Sequence, residues 1–203
     1  MCGRYKQTSP LGSLAEVFGI AEMPSFDASG VLAPGMKAPV IRNGVLTYMT
    51  WGFVPHWSKE DLKTKIINAR LETLSDKPSF RKAKRCLIPA NGFFEWDKAL
   101  KPSRPVDFHL AEDAPFAFGG LWDEWTDAKT GEVRETFAIV TTAAADPVAA
   151  IHDRMPVILM TTIAMAAWNN MEKYSAESIP ILTRVAVLPH QSVIKETAQL
   201  ALF

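Results

Sequence analysis

Asn43-Gly44 stands between Val40-Ile41 and the run Val45-Leu46-Thr47-Tyr48, and few turn signals restrict a fold as firmly. A two-residue connection between strand-like runs needs positive φ angles, which Asn-Gly adopts at low cost, so the pair predicts a tight antiparallel hairpin. The second of these strands runs on into Trp51-Gly52-Phe53-Val54-Pro55-His56-Trp57, whose composition suits a strand bending into a loop. Ala33-Pro34-Gly35 reads as a turn, and Ile66-Ile67 as a short buried strand delivering Asn68-Ala69-Arg70. Two strands, 85–89 and 92–96, flank a tight Ala90-Asn91-Gly92 turn. Residues 106–110, 116–122, 136–142 and 157–160 are also strand-like. Helical signals lie mostly outside this stretch. Ser13 reads as the cap of a short helix carrying Leu14, Val17 and Phe18. Residues 71–84 read as a helix or a pair of helical turns punctuated by Pro78, and Asp146-Pro147 opens a short helix through Ile151. The last forty residues look mostly helical, most clearly over 164–168 and 193–200. Strands in the middle and helices at the ends predict an α+β class, mainly antiparallel, in one domain over residues 1–203.

A chain of 203 residues can bury a sizeable core. No apolar run approaches the length of a membrane span, and Arg4, Lys6 and Pro10 interrupt any signal peptide. The expected location is a reducing one, the cytoplasm, with which two cysteines agree, although Cys2 and Cys86 could in principle pair. No zinc-ligand spacing joins these cysteines to the four histidines, so neither a metal nor a cofactor is expected. The formal net charge of zero argues against a generally basic nucleic-acid coat. From Lys59 to Arg85, however, nine Lys/Arg stand against four Asp/Glu, while from Glu95 to Glu135 ten acids stand against five bases. The basic stretch is open to two readings, a phosphate-binding face or simply solvated lysines.

Chemistry is concentrated at the start, in Met1-Cys2-Gly3-Arg4. Cys2 is small enough for methionine removal, and the expectation is that the working protein begins there. A terminal cysteine presents an amine with a pKa of about 8 beside a thiol of about 8.5. Together they can attack one aldehyde twice, first giving an imine and then closing a thiazolidine ring. Alternatively the amine serves as base for the thiol, as in N-terminal-nucleophile enzymes, or Cys2 is an ordinary residue of a frayed terminus. Glu95 sits in Phe93-Phe94-Glu95-Trp96 and shares a face with Phe93. Buried with Phe93 it is a proton shuttle, and in the other register it is solvated. His152, in a polar loop, is a candidate acid or a surface residue. Asn68 either caps a helix or orients a nucleophile. Arg70 and Arg154 can each fork around a phosphate or form a salt bridge. Trp57 and Trp96 can stack on bases or simply fill the core.

In order, the blocks 1–5, 33–35, 51–57, 67–73, 85–96 and 151–156 resemble the SRAP family, the abasic-site processing proteins, over residues 1 to 160. The resemblance implies a barrel-like core of antiparallel strands with flanking helices. It also implies capture of ring-opened abasic sites in single-stranded DNA as a thiazolidine crosslink to Cys2. Lyase, crosslink-reversal and self-processing activities belong to the same picture, as does a place in the DNA-damage (SOS) response. Carried over, Cys2 is the nucleophile, Asn68 orients it, Glu95 shuttles protons and His152 acts as acid. Arg4, Arg70 and Arg154 hold phosphates, while Pro34, Trp57 and Trp96 line the bent strand. The implied partners are single-stranded DNA containing abasic sites and replication-fork proteins; the implied state is a monomer away from membranes. Two features depart from the pattern. Gly30-Val31-Leu32 replaces an expected Arg-Tyr-Asn, and a Val-Asn-containing strand is missing after Tyr174. The rival readings are a glutamine amidohydrolase with a terminal Cys nucleophile and a non-catalytic reader of modified or single-stranded DNA.

Overall fold

A computed structural model describes residues 2–20, 30–160, 162–170 and 188–190. The Asn-Gly hairpin is present as β3 (Lys37–Arg42) and β4 (Val45–Trp51), with Arg42 opposite Val45. Asn43 and Gly44 carry φ of 50° and 76°, the left-handed values that a two-residue turn requires. Ahead of the hairpin come β1 (Tyr5–Gln7), α1 (Leu11–Phe18) and β2 (Gly30–Leu32). After it come β5 (Asn68–Arg70), β6 (Lys84–Ala90), β7 (Gly92–Asp97) and β8 (Arg104–His109). The long pair β9 (Phe116–Thr126) and β10 (Val133–Ala143) precedes β11 (Arg154–Pro156) and β12 (Ile158–Leu159). The described chain ends with α2 (Thr162–Asn170) and β13 (Leu188–His190).

The strands form two sheets. In the larger, β10, β4, β3, β6 and β9 pair in that order and β9 pairs back to β10, closing a five-stranded barrel. Closure removes the edges that would otherwise expose unpaired backbone. β5 and β11 extend β10 beyond the closure, and β12 extends β9. The second sheet runs β13-β8-β7-β1-β2. Although β6 and β7 are separated by Asn91 alone, they belong to different sheets, so this corner carries the chain from one sheet to the other.

Side chains alternate along the barrel strands between two apolar clusters, as a period of two requires. Val40, Trp51, Ile88, Phe118, Phe137 and Ile139 join Tyr5, Phe93 and Phe108 of the second sheet. Ile41, Leu87, Ala117, Ala138 and Val140 face the other way, toward Leu14 of α1, Leu71, Leu74 and Phe80, and Trp168 of α2. The α+β class with a barrel-like core and flanking helices is therefore the observed architecture.

β1 has only three residues, and its pairing with β7 covers just two positions. Its anchor is Tyr5, whose ring packs edge-on against Trp51 at 5.2 Å and Phe118 at 5.6 Å between centroids. Each such aromatic pair contributes about 0.5–1.5 kcal/mol beyond its burial, so packing secures the terminal segment more than its short ladder does.

Several expectations need correction. α1 begins at Leu11, directly after Pro10, with no side-chain cap, and Ser13 lies within its first turn. Pro10 O accepts the first helical bond from Leu14 N at 3.1 Å, so the helix opens three residues earlier than a Ser13 cap would allow. The strand expected at Ile66-Ile67 starts instead at Asn68, and Ile66 makes a single bridge to Phe53. Residues 71–84 hold one 3-10 turn, Leu71–Thr73, followed by further turns. The stretch after Asp146-Pro147 is likewise a 3-10 turn, Val148–Ala150. β13 is a strand in a region expected to be helical. The helix expected over 164–168 lies within α2, and the one expected over 193–200 falls outside the described residues.

Candidate active site around Cys2

The register of the second sheet brings the terminal segment to Glu95. Tyr5 pairs with Phe93 and the strands are antiparallel, so the residues ahead of Tyr5 run alongside Phe94, Glu95 and Trp96. Phe94 N donates to Arg4 O at 3.0 Å and extends this alignment. Phe93 packs into the apolar cluster, and Glu95, on the same face of β7, is only 3% exposed. The buried register is thus the one adopted.

Cys2 is fully buried in the same cluster. Burial pushes its thiol well above the ordinary range, and the negative charge of Glu95 pushes it further. The protonated thiol lies 3.8 Å from Arg4 O, within reach as a weak donor. Asn68, the first residue of β5, donates from Nδ2 to Cys2 O at 2.8 Å. Its Oδ1 is buried and has no hydrogen-bond partner among the described residues. β5 is held in place by Ile139, Val140 and Thr141 of β10, and Trp51 Nε1 donates to Ile67 O at 2.9 Å just before Asn68. An amide from one sheet therefore fixes the backbone of a terminus that belongs to the other. The Tyr5 hydroxyl, also buried and unpartnered among the described residues, is kept protonated chiefly by burial.

His152 follows Ile151, a residue packed against the cluster that contains Cys2. Its Nδ1 lies 3.0 Å from Arg154 N and 2.9 Å from Asp153 Oδ1. These contacts demand opposite states of one nitrogen. While Nδ1 accepts from the Arg154 N–H, the neutral ring carries its proton on Nε2; a protonated Nδ1 is drawn to Asp153 instead.

The residues expected to bind phosphate differ from one another. Arg154 is already engaged: NH1 and NH2 reach Glu72 Oε1 and Oε2 at 2.9 Å each, and NH2 also donates to Thr141 O at 2.7 Å. This fork holds the Glu72 carboxyl below the usual range. Arg4 stacks on Trp96, its guanidinium carbon 5.5 Å from the ring centroid, which brings two of the expected residues together. Arg70 and Pro34 are exposed, and Trp57 presents 55% of its surface to solvent. Glu72 and Thr141 were not singled out from sequence; their roles arise from contacts 82 and 13 residues away in the chain, which no local pattern displays. Among the described residues no cluster of three metal-ligating side chains occurs, and no helix is long and apolar enough to cross a membrane.

The sequence profile described as SOS response associated peptidase (SRAP) matches residues 1–195, beyond residue 160 where the recognisable blocks end. The abasic site processing protein YoqW of Bacillus subtilis is 40% identical over 172 residues, covering 78% of this chain and 76% of that protein. HMCES of Gallus gallus, also named an abasic site processing protein, is 33% identical over 70% of this chain, which spans only 50% of it. A crystal structure of a protein from Bacteroides thetaiotaomicron is similar with a TM-score of 0.78 and 27% identity, covering 88% of this chain and 84% of that one.

Proposed function

Because the chain belongs to the SOS response associated peptidase family, we propose that it processes abasic sites in DNA, and that it does so by covalent capture through Cys2. The observation that carries this reading is the Asn68 amide on the Cys2 carbonyl at 2.8 Å, with the buried Glu95 alongside the thiol. Removal of Met1 frees the Cys2 amine. The thiol is held protonated, so the amine attacks first. Its nitrogen bonds to the aldehyde carbon of the ring-opened sugar, and one amine proton passes to the carbonyl oxygen to give a carbinolamine. His152 donates a second proton, that oxygen departs as water, and the remaining N–H proton returns to His152 to leave a neutral imine. The sulfur then adds to the imine carbon, while Glu95 carries the thiol proton to the nitrogen. The product is a thiazolidine, and the balance is one water released. Reversal follows the same path backward.

Asn68 orients the terminus and Arg4, Arg70 and Arg154 meet phosphates, Arg154 by sharing its fork with Glu72. Pro34, Trp57 and Trp96 line the strand. A single-stranded substrate suits this site because it avoids the unstacking cost of extracting a sugar from a duplex. The test is denaturing electrophoresis of untagged protein with a single-stranded oligonucleotide treated by uracil glycosylase. Wild type is expected to give a heat-stable shifted band. Cys2→Ser is expected to give a band only after borohydride reduction of its imine. A heat-stable adduct from Cys2→Ser without reductant would contradict the ring-closing step.

A further inference from the structure

Lys65 lies three residues before Asn68, in a segment pinned to the β4 end of the barrel. Phe53 N donates to Ile66 O at 2.9 Å, and Trp51 Nε1 donates to Ile67 O at 2.9 Å. Its stem crosses Gly52, where a β-carbon would stand 3.0 Å from Lys65 Cδ and 3.3 Å from its Cβ. Gly52 has φ of 142°, a conformation that side-chain-bearing residues rarely adopt, so both backbone and space there call for glycine. The ammonium end reaches the exposed Ala33-Pro34-Gly35 turn, with Nζ 3.7 Å from a β-carbon built on Gly35.

We infer that Lys65 is a further phosphate contact for the captured strand, a cation laid across two glycines at the rim of the Cys2 site. The inference rests on the DNA-processing reading above. Several cations near the site or on the barrel are committed to protein partners, although Arg70 and Lys37 are exposed like Lys65. Arg154 forks onto Glu72, Lys6 bridges Asp107 and Asp113 at 2.8 and 2.7 Å, and Arg42 and Arg134 pair with Glu135 and Asp61. Lys65 is exposed and has no carboxylate in ion-pair range among the described residues. A freely solvated lysine keeps its rotamer entropy, about 2 kcal/mol. Here the stem is packed against backbone while the charge stays uncommitted, which lowers the ordering cost of meeting an anion. The ligand chemistry is a phosphodiester. Its source is the strand that reaches Asn68 and Cys2, because Lys65 shares a short anchored segment with Asn68.

The test measures adduct formation by wild type, Lys65→Ala, Lys65→Arg and Lys129→Ala over a range of DNA concentrations and salt. Lys129, in the β9–β10 turn, serves as the control. With Lys65→Ala the concentration giving half-maximal rate should rise about fivefold while the limiting rate stays unchanged. The slope of log affinity against log salt should fall by about 0.7, the release expected for one contact to a single strand. Lys65→Arg should restore most of the affinity, and Lys129→Ala should match wild type. Unchanged half-saturation and slope in Lys65→Ala would overturn the inference, as would a loss confined to the limiting rate or an equal loss in Lys129→Ala. If wild type forms no adduct, the abasic-site reading itself fails. Anisotropy with intact single-stranded DNA then still decides on Lys65, and equal affinity of wild type and Lys65→Ala counts against it.

Discussion

Cys2 and Cys86 lie in one apolar cluster, both fully buried, yet the two regions around them are built for different ends. Cys86 sits within β6, paired with Gly120 across the barrel wall, and burial alone pushes its thiol upward. Cys2 lies ahead of β1, where the Glu95 charge adds to burial and Asn68 holds the backbone carbonyl. Burial by itself makes a thiol inert. What separates the two regions is the polar apparatus that two distant strands, β5 and β7, bring to the terminus, together with the amine that Met1 removal would free under the proposal above.

The largest expected effect comes from exchanging the two cysteines in turn. Cys2→Ala should abolish the heat-stable adduct, whereas Cys86→Ala should retain it with a stability loss of about 1 kcal/mol by denaturant melting. Loss of capture in a folded Cys86→Ala would erase the distinction between the regions.

Glu95→Gln should slow adduct formation on the order of 100-fold, the usual size of a general acid–base contribution. The same change removes the charge that helps to keep the Cys2 thiol protonated, so alkylation of Cys2 by iodoacetamide should speed up while that of Cys86 stays constant. Faster labelling at both thiols would show loosened packing rather than a local electrostatic effect.

Gly120→Ala tests the other region. A β-carbon there would meet Ile88 Cδ1 at 2.5 Å and Cys86 Sγ at 2.9 Å. Overpacking of this kind costs about 1–3 kcal/mol. Thermal unfolding should reveal that loss, while the adduct rate below the transition should remain close to that of wild type.

The smallest effect concerns Glu72, whose carboxyl Arg154 holds below its ordinary value. A depressed folded value contributes stability above the unfolded value of about 4.5 and loses it as pH falls through the folded one. The pair is partly exposed, so Glu72→Gln should cost at most about 1 kcal/mol near neutrality. Wild type and variant should converge in stability as pH falls through the lowered folded value of Glu72; a gap that stays constant into the acid limb, with the carboxyl fully protonated, would separate the effect from carboxylate ionisation.

The legible parts of this molecule are those that short-range chemistry dictates. The β3–β4 hairpin follows from Asn43-Gly44, and the burial of Glu95 follows from strict alternation once Phe93 is known to face inward. That choice of register lay beyond the sequence, because it depends on Tyr5 and Phe118 packing against Phe93's face of the sheet. The β6–β7 corner was legible as two strands and a turn, but not as a crossing between sheets, since Asn91 alone carries no record of which partners each strand takes. Arg154 was legible as a fork with two possible occupants; Glu72 is one of them, 82 residues away. Lys65 gave no local signal, because its support comes from glycines that lack side chains.

The most direct test of capture by the Cys2 aminothiol is the intact mass of the adduct formed without reductant, followed by sequencing of its terminal peptide. The account predicts protein lacking Met1 plus oligonucleotide minus one water, with the sugar on Cys2 and its sulfur refractory to iodoacetamide. An adduct that retains Met1, or one whose sugar maps to a lysine while the Cys2 sulfur still alkylates, would contradict it.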